Sequence, residues 1–196
     1  MGAVLFSDRG ELLFGLDEYL NLQDARAAIL TTRYPGANTN TSGGLYRARV
    51  DLFNPNNGDR PNVPNLAIII TDGKSTFDND KTIPIAEDLR NDGVFLVAVG
   101  ITNSVDENEL KAISSLPQQR DLNYFTSPDF RQLEGIIDNI LSSACVVTPP
   151  PTTPRQPPCK LLYIFYSVCL VCFLSTFLCV MSKLSYSLIT HLTDLV

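Results

Sequence analysis

Leu66-Ala67-Ile68-Ile69-Ile70-Thr71-Asp72-Gly73 is the stretch that decides the fold of this chain. Its five leading apolar residues run without a polar break, as in parallel strands covered on both faces, and the run stops at a polar turn. A strand with one wet face would alternate instead. Just before it, Asn54-Pro55-Asn56-Asn57-Gly58-Asp59-Arg60-Pro61 is dense in turn formers and reads as a surface loop. Beyond it, Asp80 to Asp92 reads as a helix with Ile85, Ala86 and Leu89 inward and Gly93 just past its end, and Val94 to Val99 is a second buried strand.

Toward the N-terminus, Ala3 to Phe6 and Glu11 to Phe14 are extended stretches joined by the turn residues Ser7-Asp8-Arg9-Gly10, a hairpin pattern. Leu22, Ala25, Ala28 and Ile29 recur at helical spacing, with Asn21 as N-cap and Tyr34-Pro35-Gly36 as the stop. A polar loop, Ala37 to Ser42, leads through Gly43-Gly44 into a helix carrying Leu45, Ala48, Leu52 and Phe53. Toward the C-terminus, Asp106-Glu107-Asn108-Glu109 has capping-box spacing ahead of Leu110 and Ile113, and Leu122 to Phe125 is a last strand. Ser127-Pro128 then opens a final helix striped by Leu133, Ile136, Ile137, Ile140 and Leu141. Strands are expected at about residues 3 to 7, 11 to 15, 66 to 71, 94 to 100 and 122 to 125. Their alternation with helices predicts an α/β fold, doubly wound, with a mostly parallel open sheet and helices on both faces.

With 196 residues, 44% of them hydrophobic, the chain can build one sizeable core and has sequence left over. The formal net charge of -6 argues against nucleic acid, which needs a basic face to neutralise phosphates. All five cysteines fall at or after Cys145, so the globular part has no internal disulfide framework. The single histidine, His191, lies in the tail, and there is no Gly-x-Ser-x-Gly elbow or Walker loop, so nothing here reads as an enzyme. No secretory signal reads at the start, where the apolar run is short and lacks a charged leader.

Residues 146–159 are proline-rich and read as an extended linker or stalk. Leu161 to Met181 runs uncharged between Lys160 and Lys183, long enough to cross a membrane. Membrane anchoring through 161–181, a core helix, and a segment never selected as protein all remain open. Within it, Cys169-Leu170-Val171-Cys172 has redox-motif spacing but no βαβ context, so lipid-facing or packing thiols are the better reading.

Four segments in order resemble the von Willebrand type A family, especially the versions in type VI collagen, matrilins and related matrix proteins. They are Gly2 to Asp8, Gly36-Ala37-Asn38-Thr39-Asn40-Thr41, Asn57-Gly58-Asp59-Arg60-Pro61, and Ile68 to Ser75, and the likeness covers about residues 2 to 145. The resemblance implies a metal-ion-dependent adhesion site where three loops leave the carboxyl ends of the sheet, the crevice position of open α/β folds. It assigns Thr39 as the hydroxyl ligand of the second loop and Asp72 as the carboxylate of the third, with Thr41 at most in support. Mg²⁺ or Mn²⁺ suits such oxygen donors and is expected in an intact family member.

The family's first loop carries Asp-x-Ser-x-Ser, and that pattern occurs nowhere in this chain. Aligned this way, residue 1 falls inside the family's second strand, so the first strand and first helix are missing. Three metal ligands go with them, and the flanking strands are expected to have unpaired backbone groups. The expected organisation is a partial domain over 1–145, the linker over 146–159, a candidate transmembrane segment over 160–182 and a short tail over 183–196.

What the resemblance implies is an adhesion module of the extracellular matrix or cell surface that binds matrix or collagen-type protein ligands through a metal site incomplete here. The alternative is a structural remnant that binds no metal. The chain as it stands is expected to bind none. Read without the family, Asp72 is a turn residue beside Gly73, and Thr39 and Thr41 are loop hydroxyls making local turn bonds. Asn40-Thr41-Ser42 is also a glycosylation sequon, carrying either a glycan that crowds the loop or nothing.

Overall fold

The computed structural model describes residues 1–33, 38–129, 131, 132, 139 and 168–173. Strands β1 (Gly2–Phe6) and β2 (Gly10–Phe14) form the expected hairpin, followed by helix α1 (Leu22–Thr31). Helix α2 (Thr41–Arg47) continues through a wider turn at Ala48–Leu52, where the Phe53 amide reaches back to the Ala48 carbonyl at 2.9 Å. Then come β3 (Asn65–Thr71), α3 (Asn79–Asn91), β4 (Val94–Ile101), α4 (Glu107–Ile113), β5 (Tyr124–Ser127) and β6 (Val168–Phe173). The sheet order is β2-β1-β6-β3-β4-β5, with the β1–β2 pair antiparallel and the other pairs parallel.

The apolar run that opened the reading sits deep in the sheet, and its side chains divide by parity as a strand requires. Ala67 and Ile69 pack with Val4, Phe6, Leu96 and Ala98 beneath Leu45, Leu89, Leu110 and Ile113 of α2, α3 and α4. Ile68 and Ile70 face the other way, among Val97, Val99, Phe14 and Phe125, where Ala25 and Ile29 of α1 cover them. Both faces are therefore buried. Ile69 is fully enclosed, and truncating such a residue to alanine costs about 2–5 kcal/mol in lost transfer energy and cavity formation.

Several expectations are corrected. Helix α1 stops at Thr31, ahead of Tyr34-Pro35-Gly36, because Thr32 turns extended and the Thr31 and Thr32 hydroxyls donate to carbonyls of the last turn. Residues 34–37 lie outside the described ones. Helix α2 starts at Thr41, so Gly43-Gly44 lie inside it. Gly44 is there for closeness, since a Cβ at that position would stand 2.2 Å from the Phe6 ring. The last strand begins at Tyr124 because Leu122 and Asn123 turn back, their amides both bonded to the Gln119 carbonyl.

The Ser127 hydroxyl donates to the Asp129 carbonyl, and it is the Asp129 carboxylate that accepts the amides of Arg131 and Gln132. The striped final helix from Leu133 to Leu141 and the linker at 146–159 lie outside the described residues, apart from helical Asn139.

The largest correction concerns the middle of the sheet. The position that the resemblance gives to a strand preceding residue 1 is occupied by β6, which pairs in parallel with β1 on one side and β3 on the other. The inner edges of β1 and β3 are paired, where unpaired edges were expected. Residues 168–173 of the candidate transmembrane segment 160–182 are extended and pair with β1 and β3, and the rest of that segment lies outside the described residues. Among the described residues no helix is long and apolar enough to cross a membrane.

Candidate functional site

The carboxyl ends of β1 and β3 point to one rim, where the loop before α2 folds over them. That loop is tied to the turn that follows β1. The Asn38 amide and side chain both donate to the Asp8 carboxylate, at 3.2 and 2.7 Å, and the Asn40 amide donates to the Ser7 carbonyl at 2.8 Å. Asn40 also caps α2, its Oδ1 accepting from the Gly43 amide at 2.7 Å. Its Nδ2 donates to the Asp8 carbonyl at 2.8 Å, so both ends of this side chain are engaged, and the residue is 5% exposed. The sequon therefore offers a structural cap rather than a free amide.

The loops that carry Thr39 and Asp72 meet, through Thr76 and Gly73, and both residues are buried. The Thr39 amide donates to Thr76 Oγ1 and its carbonyl accepts from the Thr76 amide, each at 2.9 Å. Its own hydroxyl lies against Gly73, where an added Cβ would stand 3.4 Å from Thr39 Oγ1. Gly73 is not among the glycines with positive φ. What the glycine provides is an uncovered neighbour for the Thr39 hydroxyl.

Asp72 is held from both sides along the backbone. Its carbonyl accepts from the Thr102 hydroxyl at 2.9 Å, the Lys74 amide donates to the Ser104 carbonyl at 3.1 Å, and Thr71 Oγ1 donates to the Gly73 carbonyl at 2.7 Å. One residue past Lys74, the Ser75 amide reaches both carboxylate oxygens of Glu109 at 3.2 Å, and the Ser75 hydroxyl donates to the same carboxylate. Thr82 Oγ1 donates to Ser75 Oγ at 3.2 Å. This replaces the expected capping box. Asp106 does cap α4, accepting from the amides of Asn108 and Glu109, but the Glu109 side chain crosses to the β3 loop instead of returning to Asp106.

Thr76, Glu109 and Asp8 are the residues that sequence reasoning missed. Each acts on a partner 30 or more residues away, and the signals that Glu109 and Asp8 carried, a capping box and a turn, pointed to local roles.

The donor chemistry suits a hard cation in kind. Thr39 supplies a hydroxyl and Asp72 a carboxylate, and Thr41 Oγ1, fully buried at the start of α2, has no hydrogen-bond partner among the described residues. Among the described residues no group of three His, Cys, Asp or Glu side chains stands close enough to hold a metal ion. β6, which ends on this rim, brings Val168, Cys169, Leu170, Val171, Cys172 and Phe173 and no carboxylate. Cys169 and Cys172 lie in register with Gly2 and Leu5 of β1 as interior strand positions.

Comparison with known proteins agrees with this architecture. The von Willebrand factor type A domain family matches residues 1–139. Mouse matrilin-4 is 31% identical over 148 residues, which are 74% of this chain and 23% of that protein. Chicken matrilin-1 is 32% identical over 76% of this chain and 29% of its own length. The collagen alpha-1(XII) chain of Notophthalmus viridescens is 36% identical over 60% of this chain and 12% of its own. The chain thus spans under a third of each of these relatives.

Among solved structures, proximal thread matrix protein 1 from the mussel byssus superposes with a TM-score of 0.68 at 25% identity, covering 74% of this chain and 36% of that one. A second structure of that protein, described as having a zinc-occupied MIDAS motif, gives 0.65 at 29% identity, covering 74% of this chain and 34% of that one.

Proposed function

This chain belongs to the von Willebrand factor type A domain family, and from that membership we propose that it is an adhesion module of the extracellular matrix or cell surface whose crevice faces a protein partner. The matrilin and collagen relatives support a matrix setting and protein ligands of matrix or collagen type. The observation that carries the reading is the joining of the Thr39 and Asp72 loops at the rim of the sheet.

Thr39 and Asp72 are the residues that would hold a divalent cation, with Thr41 behind them. A cation bound there would offer an open coordination position to a carboxylate of the partner. The metal-bearing relative from the byssus supports the use of a divalent ion by this kind of crevice. One carboxylate and one hydroxyl are a thin set for an ion that dehydrates reluctantly. Residues 1–196 supply no Asp-x-Ser-x-Ser, and between Asp138 and Asp194 the sequence has no acidic residue at all. We therefore read the site as incomplete in this chain.

Titration of the full chain with Mn²⁺ in a calorimeter tests this. Weak, non-saturating heats that Asp72→Ala leaves unchanged are expected, together with binding to immobilised matrix proteins that a chelator does not alter. Saturable Mn²⁺ binding abolished by Asp72→Ala would overturn the incomplete site, and the absence of any binding to matrix proteins would overturn the adhesion role.

A further inference from the structure

Among the described residues, those other than glycine with positive φ are Asp78, Thr102, Gln118 and Asp121. An aspartate enters this region at modest cost, whereas a β-branched residue is a true outlier there. Thr102, at φ 79, is the β-branched one. It stands on the rim of the crevice. β3 and β4 run in parallel with Thr71 opposite Gly100, so the residue that follows β4 emerges beside Asp72.

Hydrogen bonds from both neighbouring strand ends converge on Thr102. Its amide donates to the Ser127 carbonyl of β5 at 2.8 Å, its hydroxyl donates to the Asp72 carbonyl at 2.9 Å, and the same hydroxyl accepts the Ser104 amide at 3.1 Å. The bend so made turns the Ser104 carbonyl to the Lys74 amide at 3.1 Å. Asp72 and Lys74 are thus both tied to the loop after β4, and both ties depend on the bend at Thr102. Glycine would adopt this φ without strain but has no hydroxyl to reach Asp72. The backbone alone asks for glycine, and the side-chain bonds ask for a hydroxyl.

The structure assigns Thr102 as a positioning residue of the crevice, one whose strained backbone aims a hydroxyl at Asp72 and fixes where the Asp72 loop stands on the rim. Backbone outliers of this kind persist at binding sites, where the surrounding structure over-determines them. Thr102 holds the Asp72 carbonyl from the β4 side, while Thr76 joins the same loop to Thr39 on the other side. A partner therefore meets a loop whose shape is set before it arrives, and less ordering is required on binding. The assignment rests on reading this rim as the partner-facing crevice.

Variants of the full chain separate strain from placement. Thr102→Val keeps the β-branch and loses the hydroxyl, Thr102→Gly loses both, and Thr102→Ser keeps the hydroxyl. In urea unfolding Thr102→Gly is expected to be more stable than Thr102→Val, although at an unstrained position glycine is the worse of the two. Amide exchange at Lys74 should quicken about fivefold in both, the equivalent of one net hydrogen bond, and stay near wild type in Thr102→Ser. Valine more stable than glycine, or exchange at Lys74 that merely follows the order of global stability, would overturn the assignment. Binding to surface-immobilised collagen reads the use of this placement, and Thr102→Val and Thr102→Gly should both lose about fivefold while Thr102→Ser binds as wild type. Equal collagen binding by wild type and all the variants would also overturn it. A wild type that binds no collagen would count against the adhesion reading, with the exchange order still deciding the role of Thr102.

Discussion

Thr39 and Thr76 hold each other through two hydrogen bonds of opposite sense, amide to hydroxyl and carbonyl to amide, each 2.9 Å long. The loop before α2 and the loop after β3 are thereby fixed to one another. Two loops left slack by a gap in the sheet would give no such pairing. Thr76→Val, which keeps the shape and removes the acceptor, should destabilise the protein by about 1–3 kcal/mol, while Thr76→Ser stays near wild type. Urea unfolding of the three proteins measures this, and equal midpoints for valine and wild type would show that the pairing contributes nothing.

Glu109 should matter more than a helix-capping residue does. Its carboxylate accepts the Ser75 amide and hydroxyl, and hydrogen bonds to charged groups contribute about 1.5–3 kcal/mol. Glu109→Ala is expected to lose stability in that range and to speed amide exchange at Ser75. Glu109→Gln, which keeps one acceptor oxygen, should lose less. Faster exchange confined to the first turn of α4, with the Ser75 amide unaffected, would return Glu109 to a purely local role.

Arg90 closes the C-terminal end of α4 from a neighbouring helix. Its Nη1 donates to the carbonyls of Ala112, Ile113 and Ser114, and partial burial lowers its pKa from the ordinary arginine value. Arg90→Met keeps the apolar stem but leaves these carbonyls without their charged donor. A loss of about 1.5–3 kcal/mol in denaturant unfolding is expected, and a loss below about 0.5 kcal/mol would mean that water replaces the guanidinium.

Tyr124 gives the fold an alkaline limit. Burial, and after it the Glu107 carboxylate, which accepts from the phenol at 3.3 Å, raises its pKa above the ordinary tyrosine value of 10.0. The folded state thus binds the phenolic proton more tightly than the unfolded state. Its contribution to stability is complete below the ordinary value and is lost as pH rises through the folded one. Unfolding midpoints measured between about pH 8 and pH 11 should fall more steeply for wild type than for Tyr124→Phe. Parallel curves would remove Tyr124 as the cause.

The Asn40 side chain predicts the fate of the sequon. With Nδ2 on the Asp8 carbonyl and Oδ1 on the Gly43 amide, it has no free end for a glycan. Expression in a secretory host should give no mass increase at this site after folding, and a glycopeptide containing Asn40 at high occupancy would contradict the described loop.

The order of strands and helices was legible from residue 2 to residue 127, because apolar periodicity and turn residues act over a few positions. Leu66 to Ile70 announced a strand buried on both faces, and Asn21 and Asp106 announced helix starts through bonds to amides two or three residues on. The candidate site was half legible. Thr39 and Asp72 were marked by motifs on the segments that carry them, whereas Thr76 and Glu109 act across 37 and 34 residues, a separation at which local pattern carries no signal.

The segment 161–181 shows the division most sharply. Its lack of charge was set by sequence alone and suits a membrane helix or a buried strand equally. Which one forms depends on whether β1 and β3 present a slot whose backbone groups can pair with it, and that slot exists only once residues far apart in the chain have folded together.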